Sequence, residues 1–183
     1  MTGATTREQD LVELVTEAGR AAGTATVAAA HRPPGRLHRA FSVLLLDPAG
    51  RLLLQQRAAG KTRFPLRWAN ACCGHPAPGA PVAAEASRRL VEELGVRGVA
   101  LTELGAYVYR ADDPASGQVE HEYDHVLLGR VAAGQPLDPD PAEVAALRWV
   151  TASELASGLA EDPDAYTPWL GGVVHLWQQG GPS

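Results

Sequence analysis

Short apolar runs separated by clusters of proline, glycine and aspartate make up much of this 183-residue chain, and they constrain its fold more than any other feature. Such runs are typical of β-strands, because helices require apolar residues at three- and four-residue spacing. Residues 40–46 and 51–56 flank Asp-Pro-Ala-Gly, which predicts a β-hairpin. Further strands are predicted over residues 11–15, 99–109, 119–131 and 147–150.

Residues 81–94 form the clearest predicted helix. Its apolar side chains recur every four residues on one face, Pro81 suits the first helical position, and Gly95 is placed to end the helix. A short helix is predicted after the capping-box sequence that starts at Thr151, and a terminal helix over residues 169–178. The Ala-rich residues 21–30 have weak periodicity and are interpreted as irregular or partly helical. Because strands outnumber helices and hairpins join most of them, the predicted class is α+β with a mixed sheet.

The length predicts a single domain over residues 1–183, of which residues 1–10 are expected to be disordered. A net charge of −5 argues against a nucleic-acid or membrane partner, and no apolar run reaches the length of a membrane span. The two cysteines, Cys72 and Cys73, are adjacent and cannot pair. No secretory signal is evident at the N-terminus, so a reducing, cytoplasmic location is expected.

The sequence Glu120-His-Glu122 predicts two carboxylates side by side, since alternate residues of a strand point to the same face. Such a pair is either a solvated strand face or a site for a cation. Three histidines occur in distinctive contexts, at His31, His38 and His75. Together these residues predict a mixed nitrogen and oxygen site for Mg²⁺, Mn²⁺ or Zn²⁺.

Cys73 lies in the segment Asn-Ala-Cys-Cys-Gly-His-Pro at residues 70–76. A free cysteine is usually a small buried apolar residue, which is the interpretation for Cys72, because alternation along a strand sends it opposite to Cys73. A glycine and a histidine beside Cys73 favour the alternative hypothesis of a reactive thiol. Residues 88–96, Arg-Arg-Leu-Val-Glu-Glu-Leu-Gly-Val, are either ordinary surface charge or the second half of a Nudix box.

These motifs, in their order and spacing, resemble one family, the type 1 isopentenyl-diphosphate Δ-isomerases, which have a Nudix fold. The resemblance runs from residue 31 to residue 169 and rests on residues 36–41, 70–76, 88–96, 119–124 and 167–169. It implies a mixed β-sheet flanked by helices. It also implies metal-dependent conversion of isopentenyl diphosphate to dimethylallyl diphosphate through a tertiary carbocation, in isoprenoid biosynthesis.

The resemblance also implies roles for individual residues. The catalytic pair falls on Cys73 and Glu122. The metal ligands fall on His31, His38, His75, Glu120 and Glu122, and a second ion, a Mg²⁺ that bridges to the diphosphate, falls on Glu93. Substrate-binding roles fall on Arg57, Lys61 and Arg89 for the diphosphate, and on Tyr109 and Trp169 for the reacting carbons.

The chain departs from the full Nudix box at two positions. Ala80 and Arg89 stand where Nudix hydrolases carry glutamates, which favours holding a diphosphate over cleaving it. The alternatives are a Nudix hydrolase of a nucleoside diphosphate compound, a non-catalytic binder of prenyl diphosphates, and a relative that acts on longer prenyl diphosphates. The expected partner is a small-molecule prenyl diphosphate, and the expected state is a monomer or weak dimer.

Overall fold

The computed structural model describes residues 7–180, in which one strand of the sheet pairs with four others. Nine strands of this part of the chain form one sheet. They are β1 (Leu11–Val15), β2 (Ala21–Thr26), β3 (His38–Leu46), β4 (Leu52–Arg57), β5 (Trp68–Ala69), β6 (Cys72–Gly74), β7 (Leu101–Asp112), β8 (Val119–Arg130) and β9 (Val144–Val150). The helices are α1 (Val27–His31), α2 (Val82–Leu94), α3 (Ala152–Glu161) and α4 (Leu170–Gly180), with a 3-10 turn at Pro163–Ala165.

Strand β3 pairs with β8 in parallel and with β1, β4 and β6 in antiparallel directions. The parallel register places His38 beside Glu122, and the antiparallel register with β6 places Ser42 beside Cys73. Strand β7 pairs with the other edge of β8, where Tyr109 lies opposite Glu122. These pairings bring side chains from four strands to one region of the sheet.

The side chains of β3 alternate between two apolar layers. Phe41, Val43 and Leu45 pack with the apolar face of α2, whereas Leu44 and Leu46 pack with α4. Helix α2 begins after Pro81 and ends at Gly95, which has the left-handed backbone that glycine tolerates best. The predicted α+β architecture, a mixed sheet flanked by helices, is therefore confirmed.

The predicted capping box is confirmed at the start of α3. The Thr151 side chain accepts from the Glu154 N–H, and the Glu154 carboxylate accepts from the Thr151 N–H. The predicted hairpin of β3 and β4 is also confirmed, with Leu46 opposite Leu52.

The interpretation of residues 21–30 as irregular or partly helical is confirmed for the second half of the segment and wrong for the first. Helix α1 begins at Val27 and is capped by Thr26, whereas residues 21–26 are not irregular but form strand β2, which pairs with β1. Strand pairing uses backbone groups, so it does not require the apolar pattern that this Ala-rich segment lacks. Residues 7–10 are not disordered but form a turn in which the Asp10 N–H donates to the Arg7 carbonyl over 3.1 Å. Residues 1–6 lie outside the described residues.

Within residues 7–180, no helix is long and apolar enough to cross a membrane.

Candidate active site and metal centre

A cavity of about 190 Å³ opens where side chains of β6, β7 and β8 lie close together. Most of the residues expected to act in the site line it, namely Arg57, Lys61, Cys73, His75, Arg89, Tyr109, Glu120, Glu122 and Trp169. His31 and His38 are fully buried and do not line the cavity.

The structure brings together all five residues expected to form the nitrogen and oxygen metal site, His31, His38, His75, Glu120 and Glu122. One ligand atom from each lies within 4.8 Å of every other. The three imidazole rings pack with centroids 4.6, 4.9 and 5.2 Å apart. Helix α1, strand β3, the segment after β6 and strand β8 supply these ligands, so the site joins four separate parts of the chain.

Backbone carbonyls fix the orientation of two of the three imidazoles. His31 Nδ1 donates to the Val27 carbonyl over 2.7 Å, and His38 Nδ1 donates to the Arg36 carbonyl over 2.8 Å. Both Nε2 atoms therefore face the cluster. His38 Nε2 is buried and has no hydrogen-bond partner among residues 7–180, which is the arrangement expected of a metal-ligating nitrogen. The donor set fits a divalent cation.

The charges of the cluster are strongly coupled. Burial disfavours the ionised form of Glu122, but the hydrogen bond with His75 and the nearby His38, whose Nε2 lies 3.6 Å from Oε1, outweigh it and hold the pKa of this carboxyl well below its usual range. Burial lowers the pKa of His75 to about 4, so its ring is neutral. Burial also opposes the charge of His31, but the adjacent Glu120 carboxylate raises the pKa of that ring. A neutral His75 and an ionised Glu122 are the forms that ligate metals.

Cys73 and Cys72 point to opposite faces of the sheet, as alternation along β6 predicts. Cys72 is fully buried among the residues that pack with α2, whereas Cys73 is half-buried and lines the cavity. The Cys73 thiol lies 3.2 Å from Asn70 Oδ1 and 3.7 Å from Ser42 Oγ. Burial, together with the nearby Asp124, raises the pKa of Cys73 to about 12, so the thiol keeps its proton.

Glu122 also accepts a hydrogen bond of 2.6 Å from the Tyr109 hydroxyl. Burial and the Glu122 charge raise the pKa of Tyr109 well above its usual value, so the hydroxyl remains a donor. The Tyr109 ring lies 6.0 Å from the Trp169 ring, and Phe64 packs edge-on against Trp169 at 5.6 Å. Aromatic faces therefore form one wall of the cavity.

The three cations expected to bind the diphosphate lie at the cavity, but each already has protein partners. Glu143 pairs with both Lys61 and Arg89. Arg57 donates to the carbonyls of Arg63 and Phe64 and also lies over the Trp169 ring at 5.4 Å. Burial opposes the charge of Glu143, yet Lys61 and Arg89 outweigh it and lower the pKa of this carboxyl.

The structure does not bring Glu93 into the histidine and glutamate cluster. Its buried carboxylate pairs with Arg89 and accepts a hydrogen bond of 3.2 Å from Gln55. Arg89 and Glu93 are four residues apart and therefore share one face of α2. Glu93 therefore contacts a cation proposed to bind the diphosphate.

Sequence reasoning missed several residues that surround the site. Asp124 is fully buried, and its carboxyl group accepts a hydrogen bond of 2.8 Å from the Ser42 hydroxyl. The alternation of Glu120 and Glu122 extends to Asp124, so its position on this face was available from the sequence. Nothing local in the sequence indicated Glu143, or Arg63, whose guanidinium lies 3.2 Å from Glu120.

Comparison with known families gives a match over most of the chain. Residues 36–170 match the NUDIX domain. The isopentenyl-diphosphate Delta-isomerase of Nocardia farcinica is 64% identical over 165 residues, which cover 90% of this chain and 93% of that protein. The protein of the same name from Streptomyces avermitilis is 52% identical, with 90% of this chain and 82% of that protein covered.

Solved structures show the same fold at much lower sequence identity. DR0079 from Deinococcus radiodurans has a TM-score of 0.72 at 19% identity, with 94% of this chain and all of that chain covered (100%). The MutT protein of Methanosarcina mazei has a TM-score of 0.62 at 14% identity, with 80% of this chain and 96% of that chain covered.

Proposed function

The chain belongs to the family of Nudix-fold isopentenyl-diphosphate Delta-isomerases, and from this premise we propose that Cys73 and Glu122 are its acid–base pair. The substrate is isopentenyl diphosphate and the product is dimethylallyl diphosphate. One observation carries the proposal: a thiol and a carboxylate from separate strands open onto the same small cavity, with aromatic rings and cations around them.

The protonation states of the pair suit this reaction. Moving the double bond requires one proton to be added to the carbon chain and a different proton to be removed. The pair holds one proton, because the Cys73 thiol is protonated and the Glu122 carboxylate is ionised. One group can therefore donate while the other accepts, and each turnover leaves the number of protons on the pair unchanged.

Protonation of the alkene creates a tertiary carbocation, which water would trap as an alcohol. Tyr109 and Trp169 present aromatic faces at the cavity, and each is worth roughly 0.5–2 kcal/mol toward a cation. The same rings exclude water from the reacting carbons. Trp169 is itself only 4% exposed, which supports this role.

We propose that His31, His38, His75, Glu120 and Glu122 hold a divalent ion, Mn²⁺, Mg²⁺ or Zn²⁺. Glu93 is proposed to hold a second ion, a Mg²⁺, which would supply positive charge for the diphosphate. When bound, these ions supply positive charge that fixes Glu122 and offsets the charge of the diphosphate. Glu120 and Glu122 themselves orient two of the imidazoles through hydrogen bonds, Glu120 with His31 and Glu122 with His75.

Addition of a divalent cation is expected to raise the melting temperature, because a ligand that binds the folded state stabilises it by about 2.7 kcal/mol at one hundred times its Kd. Differential scanning calorimetry of the metal-free protein with added Mn²⁺, Zn²⁺ or Mg²⁺ measures the shift. His38→Gln is expected to lose most of it, since it removes a ligand atom. His175→Gln, an exposed substitution in α4, is the control. An equal shift in both variants contradicts the proposed ligand set.

We propose that Arg57, Lys61 and Arg89 bind the diphosphate. Lys61 and Arg89 pair with Glu143, a single carboxylate at the cavity, and a diphosphate carries more negative charge, so it competes with Glu143 for these two cations. Binding of this remote group supplies energy that holds the carbon chain between the acid and the base.

Replacing Lys61, the lysine of this cation group, with glutamine is expected to raise KM by about tenfold, which corresponds to about 1.4 kcal/mol. The effect on kcat is expected to be smaller, because the diphosphate does not react. Steady-state kinetics measures both constants. Arg130→Gln, an exposed substitution at the end of β8, provides the matched loss of a positive charge. An unchanged KM in Lys61→Gln contradicts the assignment.

The cavity supports a short substrate over the longer prenyl diphosphates. Its volume of about 190 Å³ lies below the range of about 300–1,000 Å³ that is usual for drug-sized ligands. Arg89 in place of a carboxylate counts against the alternative of a nucleoside diphosphate hydrolase, because a guanidinium cannot ligate a metal. We also propose a single domain, a monomer or weak dimer and a cytoplasmic location.

The direct test is incubation of purified, reduced protein with isopentenyl diphosphate and Mg²⁺. Dimethylallyl diphosphate is the expected product, and its formation is measured by chromatographic separation of the two isomers. A panel of nucleoside diphosphate compounds serves as the comparison, with phosphate release as the measurement. Release from the nucleotides without isomerisation would overturn the proposed function in favour of the hydrolase.

A further inference from the structure

Asn70 is a fully buried amide between β5 and β6, beside Cys73 but outside the cavity lining. Its Nδ2 group donates to the Val43 carbonyl over 3.1 Å and to the Cys72 carbonyl over 2.8 Å. These two acceptors fix the orientation of the amide, because a flipped amide would place its oxygen against two carbonyl oxygens. The position of Asn70 Oδ1 is thereby determined by the sheet itself.

That fixed oxygen contacts two groups of the site. It accepts a hydrogen bond of 3.1 Å from the Trp169 indole N–H, and it lies 3.2 Å from the Cys73 sulfur. Trp169 precedes α4, whereas Cys73 lies in β6. A single atom thus contacts both the Cys73 thiol and the Trp169 indole, two groups that are 96 positions apart in the sequence.

We propose that Asn70 is a positioning residue that holds Cys73 and Trp169 in one geometry through its amide oxygen. The inference rests on the proposed isomerase function. An amide neither donates nor accepts a proton in the reaction, so Asn70 acts through the two groups that it contacts. The placement matters, because a displacement of about 1 Å in an active site can reduce the rate by about a hundredfold.

The alternative is that Asn70 serves only the stability of the sheet, through the two bonds from Nδ2. The two roles use different atoms of one side chain, and two substitutions separate them. Asn70→Ala removes both the oxygen and the donor group. Asn70→Asp keeps an oxygen at the position of Oδ1 but loses the amide N–H groups that bond Val43 and Cys72. Burial keeps the new carboxyl protonated, so its O–H can still donate to one of these two carbonyls.

Kinetics of the metal-loaded variants with isopentenyl diphosphate is the first measurement. Asn70→Ala is expected to lower kcat by about 10–100-fold while KM changes by less than about threefold, because the diphosphate contacts are remote. Asn70→Asp is expected to recover about tenfold of the lost kcat, because its oxygen can still accept from Trp169. Equal loss in both variants, or a kcat near that of the unchanged protein in Asn70→Ala, overturns the proposal.

The indole resonance of Trp169 is the second measurement, and it does not depend on turnover. In ¹H–¹⁵N spectra, Trp169→Phe identifies the resonance by its disappearance. Asn70→Ala is expected to shift it upfield through loss of the hydrogen bond, whereas Asn70→Asp retains it. Gln178→Ala, which removes an exposed amide in α4, is the control and is expected to leave the resonance in place. An unmoved resonance in Asn70→Ala overturns the proposal, whereas a wild-type protein without isomerase activity overturns the proposed function instead.

Discussion

Cys73→Ala is expected to reduce kcat for isomerisation by about 10²–10⁴-fold, the range that a general acid or base contributes. The thiol is the protonated member of the pair, and its pKa is raised to about 12 by burial and by Asp124. Alanine offers no proton at this position, and no other cysteine opens onto the cavity in the part of the chain that the structure describes. Steady-state conversion of isopentenyl diphosphate, with circular dichroism as a check on folding, gives the result.

Cys72→Ala is the matched control, since it removes the adjacent thiol from the opposite face of the sheet. Cys72 is fully buried among residues that pack with α2, so its loss affects stability through packing and leaves the cavity intact. Its kcat is expected to remain within about twofold of wild type, as for a core substitution that does not move the site. Near-normal turnover in Cys73→Ala would show that Cys73 is not the acid–base thiol. A loss of kcat in Cys72→Ala as large as that in Cys73→Ala would also reject the assignment.

Glu122→Gln is expected to reduce kcat by a similar factor of about 10²–10⁴, because the amide cannot accept a proton from the carbon chain. The carboxylate is held ionised by its hydrogen bond with His75 and by the nearby His38, despite its burial. The substitution also removes a negative ligand, so the cation-dependent rise in melting temperature is expected to shrink. Kinetics and calorimetry on the same preparation measure the two effects.

An exposed substitution separates these effects from a general loss of negative charge. Glu161 ends α3 and faces solvent, and Glu161→Gln is expected to retain both turnover and the cation-dependent stabilisation. Retention of turnover in Glu122→Gln excludes this carboxylate as the acid–base partner of Cys73. Loss of turnover with an unchanged metal response would instead keep its acid–base role and exclude it as a metal ligand.

The local chemistry of the site was readable in the sequence because it depends on alternation along strands. Glu120 and Glu122 share a face, and Cys72 and Cys73 face opposite sides, both as the period of two requires. The same period places Asp124 on the face of Glu120 and Glu122, where it accepts a hydrogen bond from Ser42. The capping box at Thr151 is readable for a similar reason, since its hydrogen bonds span three residues.

Contacts between distant segments were not readable in this way. Strand β2 has no apolar alternation, and its pairing with β1 depends on backbone hydrogen bonds that any sequence can make. Glu143 reaches Lys61 and Arg89 from the segment before β9, and Arg63 reaches Glu120 from a loop. Arg63 and Glu120 are 57 positions apart in the sequence, and Lys61 and Glu143 are 82 positions apart. No spacing rule links residues at such separations.

By itself, the sequence determined the fold class, the helix predicted over residues 81–94 and the residue types needed for a thiol, a carboxylate and a metal site. The tertiary structure decided that they meet: the parallel register of β3 and β8 sets His38 beside Glu122, and β6 sets Cys73 beside Ser42. It also decided that Asn70 joins Cys73 to Trp169. The physical reason is range, since periodicity reports the direction of a side chain from its own backbone, whereas register and packing set distances between segments.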